Sequence, residues 1–343
     1  MQNNIIENHI KEILITKYNI ELTYIQSILI EKEEIFITLC AKNNNDEEKL
    51  LSIFNQLNQL NNDINKNYPN YKVYLNLTKN TKSHPSLNNI KTKITAIKKI
   101  IIISSGKGGV GKSTATINLA YAMKHLGYKV GILDGDMYGP SINFMMGNSD
   151  TIVNKNNIKT FQKDDIIFNS IATFMENKDT PIVLKAPIVL KIFNQLLTES
   201  SWGNLDYLFI DMPPGTGDLH INLALKYDIY GNIIVCTPQK LALLDAQKAI
   251  TMWEQTGVKN IGVIENMSSF ICDKCNHITH IFDNKGLLNL AQHNNINYLG
   301  EIPLNTQLRE YSDSQTNSIK ANINSLVSLK FIDIAKKISS HSL

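Results

Sequence analysis

Cysteine is scarce in this chain, with four in 343 residues. That is too few to staple a disulfide scaffold, and a reducing compartment would keep them as thiols. Excess charge of either sign is also lacking. Lys+Arg 34 against Asp+Glu 31 leaves a net charge of +3, which does not point to nucleic acid or an anionic membrane, whose partners cluster their basic residues. Arginine is far outnumbered by lysine. No uninterrupted apolar run approaches the ~18 residues needed to cross a bilayer. The opening Met1-Gln2-Asn3-Asn4-Ile5-Ile6-Glu7 has no basic segment leading into an apolar one, so no secretory signal is expected. The early glutamates argue against an Arg-rich transit peptide. Internal repeats and low-complexity tracts are absent. Together these lead to a soluble, cytoplasmic protein with no nucleic acid and no membrane among its partners. What is present is 43% hydrophobic and 19% charged residues, enough to build a sizeable core and too apolar for disorder. The length suggests two domains at roughly 100–200 residues each.

Residues 1–80 read as a small α+β unit. Ile6, Ile10, Ile13 and Leu14 have helical spacing, and Tyr24 to Leu39 holds two β-rich stretches flanking Glu31-Lys32-Glu33-Glu34, which suggests a hairpin. Asp46 can cap a helix that buries Leu50, Leu51, Ile53, Phe54, Leu57 and Leu60, and Val73, Leu75 and Leu77 alternate as in a half-buried strand. Residues 81–97 are polar and contain a proline, as a linker would. From 98 to 343 strands and helices alternate, the signature of an α/β domain with a mostly parallel sheet covered by helices on both faces. Strands are expected at Ile100–Ile103, Lys129–Leu133, Tyr207–Ile210, Asn232–Val235, Asn260–Ile264 and Tyr298–Leu299.

The chemistry begins directly after the first of these strands. Gly106-Lys107-Gly108-Gly109-Val110-Gly111-Lys112-Ser113 matches G-x-x-x-x-G-K-[ST] between a hydrophobic strand and a helix, the context a phosphate-binding loop requires. Glycines let backbone N–H groups close on phosphate oxygens, and the helix N-terminus adds partial positive charge. Lys112 reaches the outer phosphates and the Ser113 hydroxyl ligates Mg²⁺, with Thr114 following in the same first turn. Asp134 and Asp136 end the second strand, where the carboxyl ends of parallel strands face the ligand, so either can act through Mg²⁺ or orient the attacking water. Asp211 ends another apolar strand and precedes Met212-Pro213-Pro214-Gly215-Thr216-Gly217-Asp218. That fits a Walker B carboxylate followed by a loop able to sense the γ-phosphate. A strand-end aspartate is otherwise often a helix cap. Lys107 is an extra cation that an ordinary P-loop does not need. Here the chain resembles the deviant Walker A ATPases, among them nitrogenase iron protein and the Min and Par ATPases. That resemblance implies a lysine reaching the phosphates bound by a partner subunit.

Cys272-Asp273-Lys274-Cys275 is a C-x-x-C followed by His277 and His280. A redox pair of thioredoxin type lacks its usual strand-to-helix context here. A zinc site could recruit the two histidines, though the spacing is tighter than in a finger. Two buried thiols sit poorly beside Asp273, Lys274 and Asn276. Half of a Cys₄ set for a [4Fe–4S] cluster, completed by a second subunit, is the fourth reading. Cys236 and Cys40 read as core residues.

Residues 98–310 resemble the Mrp/ApbC/Nbp family of iron–sulfur cluster carrier ATPases. The resemblance rests on Ser105–Thr114, on Asp136-Met137-Tyr138-Gly139-Pro140-Ser141-Ile142, on Asp211–Asp218, and on Gly262-Val263-Ile264-Glu265-Asn266-Met267-Ser268 ahead of the cysteines, followed by Leu299-Gly300-Glu301-Ile302-Pro303-Leu304. It implies ATP and Mg²⁺ as cofactors, a homodimer, apo iron–sulfur proteins as cluster recipients, and an N-terminal unit similar to a small iron–sulfur assembly domain. By the same resemblance Asn266 recognises adenine, Asp136 is the switch carboxylate, and Cys272 and Cys275 bridge a labile cluster at the dimer interface. Lys185 stands where the family usually has arginine, which loses the bidentate fork. A Min/Par-like dimerising switch with a structural zinc site is the alternative.

Overall fold

The computed structural model describes residues 2–31, 34–41, 57–69, 71–79, 91–137, 139–147, 149–153, 156, 158–174, 186–272, 274–275, 277–282 and 285–340. The chain divides into two units, Met1–Asn89 and Ile90–Leu343. In the first, α1 (Gln2–Tyr18) is followed by β1 (Ile25–Glu31), β2 (Glu34–Ala41), α2 (Leu57–Asn65) and β3 (Lys72–Lys79). The strands form a sheet in the order β1-β2-β3, with β1 antiparallel and β3 parallel to β2. Ile6, Ile10 and Leu14 on the helix pack with Ile35, Ile37 and Leu39, alternate residues of β2. The helix start expected at Asp46 and the Cys40 side chain lie outside the described residues, as do Tyr138 and Lys185.

The second unit is built on a ten-stranded sheet. Its strands are β4 (Ile97–Ser104), β5 (Val130–Asp134), β6 (Asp150–Val153), β7 (Lys159–Lys163), β8 (Ile166–Ser170), β9 (Leu205–Asp211), β10 (Gly231–Cys236), β11 (Asn260–Ile271), β12 (Ile278–Thr279) and β13 (Tyr298–Leu304). Pairing is parallel from β13 through β11, β10, β4, β9 and β5 to β8. It turns antiparallel at β7 and β6 on one edge and where β12 folds back on the end of β11. The helices are α3 (Lys112–His125), α4 (Ile142–Met146), α5 (Ala186–Glu199), α6 (Asp218–Lys226), α7 (Lys240–Gln255), α8 (Gly286–His293), α9 (Thr306–Asp313), α10 (Ser318–Ala321) and α11 (Leu326–Ser340).

Strand β4 shows why its run of isoleucines is unbroken. Ile101 and Ile103 enter one core with α3 and α11, while Ile100 and Ile102 enter the other with α5 and α6. With both faces covered, each full burial is worth about 1.5–3 kcal/mol. A third cluster joins α7 and α8 over Ile234, Val263 and Cys236, whose thiol is pushed up to about 12 by burial.

Three features depart from expectation. Residues 91–97 are not all linker, since Thr92 bridges Tyr227 and exchanges backbone hydrogen bonds with Lys226 and Asp228. The antiparallel edge β6–β8 is short and its burial mixed, so it carries no clear period. Strand β11 continues to Ile271 rather than stopping near Ile264, because Asn266 and Phe270 still pair with Ile302 and Leu304 of β13. Between those pairs the register shifts and Met267 takes φ +57°, the left-handed region.

Candidate functional site

The phosphate loop joins β4 to α3. Gly106 has no room for a side chain, as a β-carbon would lie 2.3 Å from the Asp245 carbonyl carbon. Gly111 takes φ +83° and a β-carbon there would meet Asn266 Nδ2 at 2.2 Å. Gly111 is the N-cap of α3 and no side chain caps this helix, so its first N–H groups remain available to an anion.

Lys112 is 6% exposed. Its Nζ lies 2.9 Å from Asp211 Oδ1 and 3.6 Å from Asp136 Oδ2, yet it is out of line for a hydrogen bond with any described partner. A buried ammonium with uncommitted donors is prepared for a multiply charged oxyanion. Asp211 also accepts from Ser113 Oγ at 2.6 Å and from Thr116 Oγ1 at 3.0 Å. The hydroxyl and carboxylate that would hold Mg²⁺ therefore stand side by side, and their all-oxygen chemistry suits that ion.

Asp134, the other strand-end carboxylate expected near Mg²⁺, sits deeper. Its carboxylate is fully buried and accepts from the Asp136 N–H, the Ile142 N–H and Ser170 Oγ, each at 3.1 Å. Burial first, and the Asp211 charge second, hold it well above the usual carboxylate range. It fixes the loop that presents Asp136, whose own Oδ1 accepts from Gly139 N at 3.3 Å. The second loop is tied down as well, with Gly215 N donating to Ser105 O at 3.0 Å.

A groove of about 420 Å³ runs along the phosphate loop, lined by Lys107 to Thr114 with Asp136 and Pro214. It shares Gly111, Thr114 and Met145 with a second cavity of about 390 Å³, whose walls include Asn266, Met267, Pro303 and Leu304. Asn266 Nδ2 donates to Val110 O at 2.8 Å, fixing this side chain against the loop. Lys107 Nζ donates to Gln239 Oε1 at 2.5 Å, a partner the sequence offers no means of finding. His220 also escapes a sequence reading. It is 1% exposed on α6 and packs 5.6 Å from Trp253, with the Gly217 and Pro213 backbones beside its ring. Trp253 in turn donates to Ser104 Oγ at the end of β4.

Cys272 follows β11 directly and Cys275 occupies the turn before β12. Cys272 N donates to His277 O at 3.0 Å, and Ile271 pairs with Ile278. Cys275 is exposed and Cys272 half-buried, and neither is in a disulfide. The hairpin does not gather the two histidines around the thiols. Among the described residues no group of three or more His, Cys, Asp or Glu is placed to hold a metal, and His280 Nδ1 lies instead 3.4 Å from Ser268 O. Residues Asp273 and Asn276 of this turn lie outside the described residues.

Among the described residues no helix is long and apolar enough to cross a membrane. Residues 96–339 match the ParA family model described as NUBPL iron-transfer P-loop NTPase. An iron–sulfur cluster carrier protein of Haemophilus influenzae is 40% identical over 255 residues, 74% of this chain and 69% of that protein. The nucleotide-binding protein of Archaeoglobus fulgidus, solved in complex with ADP and with cobalt found in it, superimposes with a TM-score of 0.56 at 35% identity, covering 65% of this chain and 88% of that one. The septum site-determining protein MinD of Pyrococcus horikoshii, complexed with Mg-ADP, aligns with a TM-score of 0.51 at 21% identity over 71% and 96%, a likeness of fold. With the phosphate loop, the two strand-end carboxylates and this match over most of its length, the chain belongs to the NUBPL iron-transfer P-loop NTPases.

Proposed function

We propose that the protein binds ATP between two copies of its second unit and carries a [4Fe–4S] cluster, held by the paired cysteines of the two copies, to apo iron–sulfur proteins. The observation that carries this reading is the path of β11, which holds Asn266 against the phosphate loop and ends in an exposed hairpin bearing only two thiols. One chain supplies half of a Cys₄ set, and a symmetric dimer supplies the whole.

The residues divide the work as follows. Phosphates lie on the N–H groups of Gly108 to Thr114, and Lys112 turns its uncommitted donors to them. Ser113 and Asp211 would hold Mg²⁺, which would supply charge neutralisation at the outer phosphates. Asp136 orients the attacking water, positioned by the loop that Asp134 anchors. Asn266 presents its side-chain oxygen to the adenine amino group while its nitrogen stays on Val110. Lys107 exchanges Gln239 for the phosphates of the partner's nucleotide, an oppositely charged acceptor in place of a neutral one.

Anaerobic reconstitution with iron and sulfide, followed by metal analysis and sedimentation, tests the reading. Four irons per dimer, broad absorption near 400 nm as thiolate-bound clusters give, and their loss in Cys272→Ser with ATP binding retained are expected. Tightly held zinc without an iron–sulfur chromophore would instead leave an ATPase switch with a structural metal.

A further inference from the structure

Arg309 is the only arginine among the chain's 34 lysines and arginines. A sequence that otherwise meets its need for positive charge with lysine has kept one planar guanidinium, and Arg309 lines the cavity that opens from the end of the phosphate loop. Its side chain is 69% exposed and loosely tethered, with Glu310 at 3.6 Å and Asp313 at 4.0 Å. Lysine would serve as well for those contacts.

Phe144 lines the same cavity from α4 and is its one aromatic residue among the described ones. It is 60% exposed, although its neighbours Ile142 and Met146 on the same short helix are buried. An aromatic ring exposed at the mouth of a cavity, next to apolar walls from Met267, Pro303 and Leu304, offers a flat apolar surface. We propose that Phe144 and Arg309 stack on the base of the bound nucleotide, the ring and the guanidinium plane together completing a slot whose edge recognition belongs to Asn266. This rests on the proposed ATP site, since the cavity shares Gly111, Thr114 and Met145 with the phosphate groove. A base is the part of ATP with a π-face, and both side chains recognise π-faces.

Binding of ATP and of Mg²⁺-tripolyphosphate, which has no base, separates this role from the phosphate site. In the full-length protein Phe144→Ala should weaken ATP by about tenfold, as loss of one base–aromatic stack does, and leave tripolyphosphate affinity within error. Phe144→Trp should keep ATP affinity and show fluorescence quenching on binding. Arg309→Lys should weaken ATP several-fold, also without effect on tripolyphosphate, because it keeps the charge and loses the plane. Both positions are exposed, so the variants are expected to fold, which a melting curve checks. Unchanged ATP affinity in folded Phe144→Ala, or equal losses for ATP and tripolyphosphate, would overturn the stacking role. Full affinity in Arg309→Lys would reduce Arg309 to a charge and overturn its share. Failure of the wild type to bind either ligand would instead remove the ATP reading itself.

Discussion

Gly111 has no tolerance for a side chain. Its backbone is in the left-handed region and Asn266 Nδ2 occupies the place of a β-carbon. Gly111→Ala must push Asn266 off Val110 while holding alanine at a positive φ, which alone costs about 1–2 kcal/mol. We expect a lower melting temperature and weakened ATP binding together, and wild-type values for both would show that the loop relaxes freely. His220 gives a prediction of the opposite kind. Burial lowers its pKa from 6.5 to about 4, so the unfolded chain binds the proton more readily than the folded one between these values. The neutral form is fully compatible with the fold above pH 6.5, and stability attributable to this residue is lost as pH falls from there toward 4. In thermal melts across that window, His220→Leu should flatten the fall relative to wild type. Parallel curves would mean that the imidazole is solvated in a way its 1% exposure does not suggest.

At the scale of elements, helix α3 carries Lys112 and Ser113 of the phosphate loop and is pinned through Asn118. Asn118 Nδ2 donates to Thr114 O, and its Oδ1 accepts from the backbone and hydroxyl of Ser318 at the start of α10. Asn118→Ala strands those donors in a buried place, a loss of about 1–3 kcal/mol. That corresponds to a melting temperature lower by several degrees for a unit of this size, and a change under one degree would remove the pin. None of this tie was legible in the sequence, because Asn118 and Ser318 are 200 residues apart and neither belongs to a motif. What could be read was local and strongly patterned. The isoleucine run of β4, the glycines and lysines after it, the aspartates at strand ends and the C-x-x-C each show their chemistry within eight residues or so. The end of β11 was hidden because Glu265 to Ser269 is polar and looks like a loop, yet β13 supplies its backbone partners. Phe144 and Arg309 gave no signal either, since the cavity that unites them is assembled from elements far apart in the chain.

At the scale of the whole molecule, the proposed dimer would give Lys107 a different partner from the one it has within a single chain. Within one chain its ammonium is held by Gln239, a neutral acceptor that a phosphate can displace. Lys107→Ala should therefore bind ATP but fail to dimerise with it in sedimentation, and its turnover should fall roughly a thousandfold or more, as with other cations supplied in trans. A variant that dimerises with ATP as the wild type does would place the catalytic cation elsewhere.

Because one strand, β11, borders the cavity beside the phosphate loop at Asn266 and Met267 and ends at Ile271, next to Cys272, the phosphate loop and the cysteine hairpin share a length of backbone. Binding at two sites so joined obeys reciprocity. If the hairpin holds a cluster as proposed, whatever factor ATP applies to its affinity for that cluster, the cluster must apply to the loop's affinity for ATP. The coupling can therefore be measured without following a single transfer event, by titrating nucleotide onto loaded and empty carrier and comparing the two dissociation constants.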